Sequence, residues 1–214
     1  MKLTEKAMKV LDILEKEYPD ACITLDFKDP LQLLIATILA AQCTDERVNV
    51  VTKDLFKKYR RAADFAGADP PTLEEEIRST GFYHNKAKSI LACCQMIVNQ
   101  FNGHVPRTLE ELTSLPGVGR KTANIILGNA YGQQGIAVDT HTKRVTHRLG
   151  WAKPEDPDKI EFELMEVIPR ERWTLACHQL VSHGRRVCVA QRPKCDSCPV
   201  SSLCPKIDVS ARGK

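Results

Sequence analysis

Four cysteines near the end of the chain have residue types and a spacing that could do chemistry. They are Cys188, Cys195, Cys198 and Cys204, in the pattern C-x6-C-x2-C-x5-C. Four thiolates in so short a stretch can close around one metal centre, which in a reducing compartment is more common than two disulfides. Zinc sites usually show two close cysteine pairs, and the ferredoxin pattern has shorter gaps. The spacing therefore predicts a metal centre and leaves zinc and an iron–sulfur cluster open.

A second such segment is the turn Leu-Pro-Gly-Val-Gly-Arg-Lys at residues 115–121. Its two glycines, Gly117 and Gly119, stand directly ahead of an apolar stretch that predicts a helix. Such a turn exposes successive backbone N–H groups, which together with the free amides of a helix N-terminus form a phosphate site. A tight connection between two helices uses the same residue types, so the turn alone allows either interpretation. Leucines before it and isoleucines after it predict two short helices that pack on each other.

Two ionisable residues follow at positions where they could react. Lys121 lies in the first turn of the predicted helix, where the positive end of the helix dipole disfavours an ammonium and so favours a nucleophilic free amine. A solvated lysine or a phosphate contact is the simpler interpretation. Asp139 follows an apolar run and precedes Thr140, which is the pattern of a helix N-cap.

The elements that must position these residues are helices. Apolar residues recur every three or four positions along most of the chain, and the sequence has no convincing alternating strand pattern. Predicted helices cover residues 3–17, 31–42, 46–59, 86–101, 108–112, 121–131, 140–149, 159–167 and 174–183, and another begins at 70–72. The stretch 31–42 is apolar nearly all round, which predicts a central buried helix. The expected fold class is therefore all-α.

Composition restricts the class of protein further. The chain has 214 residues, of which 43% are hydrophobic and 27% charged, a balance typical of folded globular domains and not of disordered, collagenous or membrane proteins. Its longest apolar run, 31–43, falls short of the roughly 18 residues of a membrane span. The first residues lack a secretory signal pattern, so we expect a cytoplasmic protein. Five further cysteines stand among apolar residues, which predicts small buried side chains: Cys22, Cys43, Cys93, Cys94 and Cys177.

Several of these segments together resemble the helix-hairpin-helix superfamily of DNA glycosylases, and within it the endonuclease III family. The resemblance covers nearly the whole chain. The residues that carry it, in the order the family has them, are LLIATILAAQCT at 33–44, GFY at 81–83, the turn and helix at 115–124, VDTH at 138–141 and the four terminal cysteines. It implies a two-lobed fold with a six-helix barrel and a lobe that carries a [4Fe–4S] cluster.

The resemblance also implies a reaction. In the family, the hairpin lysine attacks C1′ of a damaged nucleotide and forms a Schiff base, and β-elimination then cuts the strand on the 3′ side. This role falls on Lys121, and relatives that only hydrolyse the base carry another residue there. Asp139 matches the aspartate that faces this lysine and assists it. The expected enzyme is a bifunctional DNA glycosylase and abasic-site lyase that releases oxidised pyrimidines, with Cys188, Cys195, Cys198 and Cys204 as ligands of a structural cluster.

Contacts with DNA follow from the same comparison of motifs. Gln42 and Phe82 match the positions that wedge into the duplex once a base has been extruded. Leucine is more usual in the family at the second of these, so Phe82 is a departure in size. Asp45 and His141 would border the base pocket. Phosphate contacts are expected from the hairpin and the cysteine loop, at Leu115, Gly117, Val118, Gly119, Thr122, Arg186, Arg192 and Lys194.

The family's domain organisation divides the chain into two lobes. The barrel would cover 22–133, with the helix-hairpin-helix at about 108–131, and the second lobe would combine 1–21 with 134–214, including the cluster loop at 188–204. Lys121 and Asp139 would then meet at the lobe boundary. The expected partner is double-stranded DNA with damaged bases or abasic sites, bound by a monomer in a prokaryotic cytoplasm without membrane association.

Two alternatives remain at this stage. One is a mismatch uracil or thymine glycosylase of the same fold, although hydrolytic relatives lack the lysine. The other is a non-catalytic DNA-binding module, in which the hairpin and a zinc-loaded tail only contact the backbone. The module would give a colourless protein and no covalent adduct with DNA.

Overall fold

The computed structural model of the chain describes residues 2–153 and 156–209 and confirms the all-α class, because none of these residues lies in a strand. They form eleven α-helices. In chain order, these are α1 Leu3–Glu17, α2 Pro30–Leu39, α3 Asp45–Lys58, α4 Ala62–Ala66, α5 Pro70–Ile77, α6 Tyr83–Gln100, α7 Leu109–Ser114, α8 Arg120–Ala130, α9 Thr140–Arg148, α10 Pro157–Val167 and α11 Trp173–Arg186. No described helix combines the length and the apolar character that a membrane crossing needs.

The chain divides into two compact units. The hairpin unit consists of Thr24–Gln133, and the cysteine unit combines Met1–Ile23 with Gln134–Lys214. The hairpin unit holds α2 to α8, and its described residues include six helices of six residues or more and the five-residue α4. The cysteine unit holds α1 and α9 to α11. The predicted second lobe includes residues 1, 154–155 and 210–214, which lie outside the described residues.

Helix α2 is the central element of the hairpin unit. It packs against α3, α6 and α8, and six of its ten residues are buried. Asp29 caps its first turn, since the carboxylate accepts the Gln32 N–H at 2.9 Å, and Pro30 occupies the first helical position, where its missing N–H costs nothing. The helix ends at Leu39, three residues before the predicted end, because Gln42 has a left-handed backbone conformation.

The cysteine unit has a separate core. Helix α1 places one apolar stripe, formed by Ala7, Val10, Leu11 and Leu14, against α10 and α11, and α11 also packs along α9. Gly184 permits that close approach, because a Cβ added there would lie 3.0 Å from the Cβ of His141. Helix α11 continues to Arg186, three residues beyond its predicted end, and so leads directly to Cys188.

The structure adds one helix to the predicted set and corrects one prediction. Helix α4 was not predicted, because five residues are too few to show a helical period. Cys22 is exposed and Cys43 only partly buried, since both lie in loops, whereas Cys93, Cys94 and Cys177 lie in helices and are buried as predicted. Burial raises the pKa of the Cys93 thiol to about 12, so it stays a neutral, apolar side chain.

Candidate functional site

The glycine turn joins α7 to α8 in a tight hairpin. The Val118 N–H donates to the Leu115 carbonyl at 3.1 Å, and Gly117 takes a φ of 79° that favours glycine. Gly119 is the N-cap of α8 and has no side chain with which to occupy the first amides of that helix. Main-chain N–H groups at such a glycine-capped helix start can bind an anion at the positive end of the helix dipole.

The hairpin residues differ in what they can offer to a ligand. Leu115 and Val118 are buried, while the two glycines are exposed. Lys121 is exposed at the second position of α8, and Thr122 is partly exposed beside it. The turn thus presents backbone amides, and the lysine supplies the flexible amine next to them.

Gly117 meets a second constraint besides its backbone angle. A Cβ added at this position would lie 2.8 Å from the Cβ of Ser89 on α6, well inside contact distance. We expect Gly117→Ala to destabilise the protein by about 1–3 kcal/mol, from left-handed strain and overpacking together. Chemical denaturation measures this loss.

Gly119→Ala is the matched control for Gly117→Ala. Gly119 has a φ of −92° and nothing within 4 Å of an added Cβ. The free energy of unfolding of Gly119→Ala should therefore stay within about 0.5 kcal/mol of the parent. Equal losses of stability in the two variants would contradict the close approach of α6 to the turn.

One depression in the hairpin unit brings separate sequence motifs together. Its lining includes Gln42 from the segment after α2, Phe82 from the segment before α6, and Gly117 and Thr122 from the hairpin. The two predicted wedge residues and the predicted phosphate site therefore share one surface, although about 40 residues of chain separate each motif from the next.

Gln42 and Phe82 share an unusual backbone conformation. Their φ angles are 54° and 49°, in the left-handed region that L-residues other than Asn and Asp rarely adopt. Both side chains are exposed, and the Phe82 ring is the large apolar side chain with the greatest exposure among the described residues, at 63%. Strained, exposed residues on a shared surface are typical of functional positions.

Asp45 has a local structural role in the hairpin unit. It is the first residue of α3, which Thr44 caps, and its carboxylate accepts a hydrogen bond from the Thr24 hydroxyl. A carboxylate in the first turn also stabilises the helix dipole.

Asp139 and His141 lie in the cysteine unit. Asp139 caps α9 as the sequence predicted, since its Oδ1 accepts the Thr142 N–H at 2.7 Å. His141 lies one residue into the helix, with its Nδ1 at 3.1 Å from Nη2 of Arg144. The structure thus fixes both residues at the start of α9.

The four terminal cysteines line a single cavity with apolar walls. Val145, Leu149 and Val187 belong to the same lining. Among residues 2–153 and 156–209, no three His, Cys, Asp or Glu side chains converge closely enough to hold one metal ion. All four cysteines nevertheless line the same cavity, as a cluster with four cysteine ligands requires. The Lys206 N–H lies 3.4 Å from Sγ of Cys204, a hydrogen bond of the kind that stabilises thiolate ligands.

Two arginines of α9 form hydrogen bonds to the cluster loop at 188–204, and neither is among the residues predicted from the sequence. Arg148 donates to the carbonyls of Val189 and Ala190 at 2.8 and 3.0 Å, and its Nη1 lies 3.4 Å from Sγ of Cys188. Arg144 donates to the Cys188 carbonyl at 3.0 Å. Their separation of four residues on one helix face was a signal that could have found them.

We expect Arg148→Met to weaken cluster retention. The variant loses the charge-assisted hydrogen bonds to the loop, which corresponds to about 1–3 kcal/mol of stability. The measurement is the rate at which iron is lost to a chelator, followed by visible absorption. Arg170→Met is the control, because Arg170 lies in the same unit but stacks on the Trp173 ring instead of binding the loop. Equal rates of iron loss in both variants would exclude a role for Arg148.

A buried histidine stands behind the cysteines. The His183 side chain lies with Nδ1 3.1 Å from the Tyr18 hydroxyl and Nε2 3.6 Å from Sγ of Cys198. Burial lowers the pKa of His183 to about 4 and, with the neighbouring Glu17 carboxylate, raises that of Tyr18 to about 12. Both groups are therefore neutral at pH 7 and can form an uncharged hydrogen-bonded chain to a cysteine.

Three basic residues flank the cysteines at the surface. Arg192 and Lys194 are exposed in the loop, and Arg192 has a left-handed φ of 54°. Arg186, also exposed, stacks over the Tyr18 ring at 5.2 Å and lies 3.9 Å from the Asp20 carboxylate. The Lys194 N–H closes the loop by donating to the Val187 carbonyl at 3.1 Å.

The helical fold and the hairpin define a helix-hairpin-helix protein. The family model of the HhH-GPD superfamily base excision DNA repair protein matches residues 35–170. A second model, the iron-sulfur binding domain of endonuclease III, matches residues 188–204, the segment that starts and ends on the outer cysteines.

Individual relatives narrow this class. Endonuclease III of Synechocystis is 49% identical over 96% of this chain and 94% of its own length. Endonuclease III of Escherichia coli K12 is 37% identical over 95% of this chain and 98% of its own length. A solved non-covalent endonuclease III–DNA complex superposes with a TM-score of 0.91 at 45% identity, over 96% of this chain and 97% of that one.

The chain belongs to the endonuclease III family. It is therefore a DNA glycosylase and abasic-site lyase of base excision repair, and its iron-sulfur binding domain at residues 188–204 carries a [4Fe–4S] cluster. A thermostable thymine-DNA glycosylase shares the fold, with a TM-score of 0.82 over 94% of this chain and 96% of that one, but at 22% identity.

Proposed function

We propose that this enzyme releases oxidised pyrimidines from duplex DNA and cuts the strand 3′ to the lesion through a Schiff base on Lys121. The observation that carries the proposal is the place of this lysine, exposed at the second position of α8 and next to the main-chain amides at the start of that helix. A phosphate bound by those amides would hold a nucleotide within reach of the amine. A relative at 45% identity has been solved as a trapped covalent endonuclease III–DNA intermediate, which supports the same chemistry here.

The reaction follows from the chemistry of an amine at C1′. The free Nζ of Lys121 forms a bond to C1′ while the glycosidic bond breaks, and the departing base takes up a proton. The sugar ring then opens as the bond from C1′ to O4′ breaks, which leaves a protonated Schiff base. The iminium acidifies the C2′ hydrogen, so loss of that proton expels the 3′ phosphate, and water finally hydrolyses the imine and returns the lysine.

Asp139 is the second catalytic residue in this proposal. A carboxylate can accept the proton that Lys121 must lose and can stabilise positive charge that develops on the sugar. Its Oδ1 accepts the Thr142 N–H in the N-cap, which fixes the orientation of the carboxyl group. Capping and catalysis are compatible, because a carboxylate accepts several hydrogen bonds at once.

The cluster supplies no redox step in this reaction. Its proposed role is structural, since the four cysteines tie down the loop that carries Arg192 and Lys194. These two side chains and Arg186 are suited to phosphate contacts, as are the hairpin amides around Gly117 and Gly119.

Gln42 and Phe82 are proposed to occupy the gap that the extruded nucleotide leaves. The amide of Gln42 can hydrogen-bond to the unpaired opposite base, and the Phe82 ring can stack on the bases that flank the gap. Asp45 and His141 are proposed to border the base pocket. Its relatives named here are bacterial, so we further propose a prokaryotic enzyme. We propose that it acts as a monomer on damaged duplex DNA in the cytoplasm.

The test is borohydride trapping of the cluster-loaded protein on duplex DNA that contains thymine glycol, with an undamaged duplex as control. A covalent adduct on the damaged duplex, together with base release and a 3′ cut, supports the proposal. Base release without an adduct would favour a hydrolytic, mismatch-type glycosylase. Tight binding without release, and without cleavage of an abasic duplex, would leave only a DNA-binding role.

A further inference from the structure

Lys86 on α6 is a buried cation that the proposed reaction does not use. Its side chain belongs to a residue only 5% exposed, and burial lowers its pKa. Its ammonium donates to two main-chain carbonyls, those of Leu39 at 2.8 Å and Thr80 at 2.7 Å. A buried ammonium is costly unless it is well hydrogen-bonded, so this arrangement calls for a function that an apolar residue could not supply.

Both carbonyls belong to helix C-termini. Leu39 is the last residue of α2, and Thr80 is the last residue of the short 3-10 helix Arg78–Thr80. Carbonyls at helix ends lack partners within the helix and carry the negative end of the dipole, which favours a cation. One ammonium therefore provides a hydrogen-bond donor to each carbonyl and joins two segments that lie 41 positions apart in the sequence.

Each joined segment leads directly to a proposed wedge residue. Gln42 follows Leu39 by three positions, and Phe82 follows Thr80 by two. Both wedge residues have left-handed backbones, a conformation that persists only when the surrounding structure enforces it. With so few rotatable bonds between anchor and wedge, the positions of the two carbonyls largely determine where the two side chains emerge.

The geometry points to Lys86 as a positioning residue that holds Gln42 and Phe82 in register for insertion into the duplex. This inference rests on the insertion roles proposed above for those two side chains. Lys86, Gln42 and Phe82 line the same depression, beside Gly117 of the hairpin. The hydrogen bonds of Lys86 therefore lie next to the surface that would face DNA. Pre-organised side chains bind better because less conformational freedom is lost on binding.

Lys86→Met tests this role, because methionine keeps an unbranched apolar stem and removes both hydrogen bonds. The measurement is the ratio of affinities for a duplex with a stable abasic analogue and for an undamaged duplex. We expect this ratio to fall at least about tenfold, because the side chains that fill the gap in the duplex would no longer be held in position. Affinity for the undamaged duplex should stay within about twofold, because phosphate contacts are untouched.

Tyr131→Phe is the matched control. The Tyr131 hydroxyl also ties two distant segments of the hairpin unit, by donating to the Val105 carbonyl at 2.6 Å, but it does not line the depression. Its loss should leave the affinity ratio unchanged. Lys86→Arg retains two donors and should recover part of the ratio. If Lys86→Met does not fold, Lys86→Gln replaces it.

A double-mutant cycle separates positioning from a general loss of structure. In a Gln42→Ala/Phe82→Ala background, Lys86→Met should lower the ratio no further, because its effect acts through those side chains. An additive loss, or a loss equal to that of Tyr131→Phe, would overturn the inference while leaving the wedge roles intact. If Gln42→Ala and Phe82→Ala themselves leave the ratio unchanged, the proposed wedge function fails, and the inference with it.

Discussion

Lys121→Gln is expected to abolish the borohydride-trapped adduct and to lower the single-turnover rate of strand cleavage at least about 10³-fold, because an amide cannot form an imine. The substitution keeps a polar side chain of similar length at the second position of α8. Binding to a duplex with an abasic analogue should change little, since the hairpin amides remain. The measurement combines trapping with single-turnover cleavage of thymine glycol and abasic duplexes.

A matched control for Lys121→Gln is Lys53→Gln, which removes the same charge from an exposed position on α3. It should leave both trapping and cleavage unchanged. If Lys121→Gln instead weakened DNA binding and retained the adduct, the lysine would be a phosphate contact and another amine would be the nucleophile. Measuring affinity and adduct formation on the same duplex distinguishes the two roles directly.

Asp139→Asn is expected to lower the single-turnover rate of base release by about 10²- to 10⁴-fold, the usual contribution of a general acid or base. Asparagine caps helices as well as aspartate does, so the hydrogen bond to the Thr142 N–H is retained and stability should change by less than about 1 kcal/mol. The carboxylate charge is the property that the substitution removes. Thermal unfolding and single-turnover kinetics together test this separation.

Asp139→Ala completes the comparison. Alanine removes the cap as well as the charge, so it should cost about 1 kcal/mol more stability than Asp139→Asn. Its catalytic loss should equal that of the asparagine variant if the carboxylate acts in the reaction. An active Asp139→Asn beside a weakened Asp139→Ala would show that the residue only caps α9.

Much of the local structure could be predicted from the sequence, because it depends on neighbours along the chain. Helix α1 has the predicted bounds, and the aspartates that begin α2 and α9 accept amide hydrogens three residues away. The hairpin turn also depends on local backbone angles, with glycine at the one position of positive φ. Such features follow from capping, glycine geometry and apolar period alone.

The left-handed backbones of Gln42 and Phe82 could not be predicted from local sequence. The left-handed conformations of Gln42 and Phe82 run against the intrinsic preferences of glutamine and phenylalanine, so local propensity favours the wrong answer at both positions. Only the packing around them holds these conformations, and the two segments are adjacent through the ammonium of Lys86.

The helical class, the hairpin, the place of Lys121 near the start of α8 and a metal centre near the end of the chain all follow from local residue patterns. The cysteine spacing leaves zinc and a cluster equally open. The arrangement of the four thiols around one cavity depends on the tertiary structure. Tertiary structure also decided what holds the site: Arg148 reaches carbonyls more than 40 residues away, and Lys86 reaches one 47 residues away. Contacts of this length depend on how helices pack, and the residues between them leave no local pattern from which to read them.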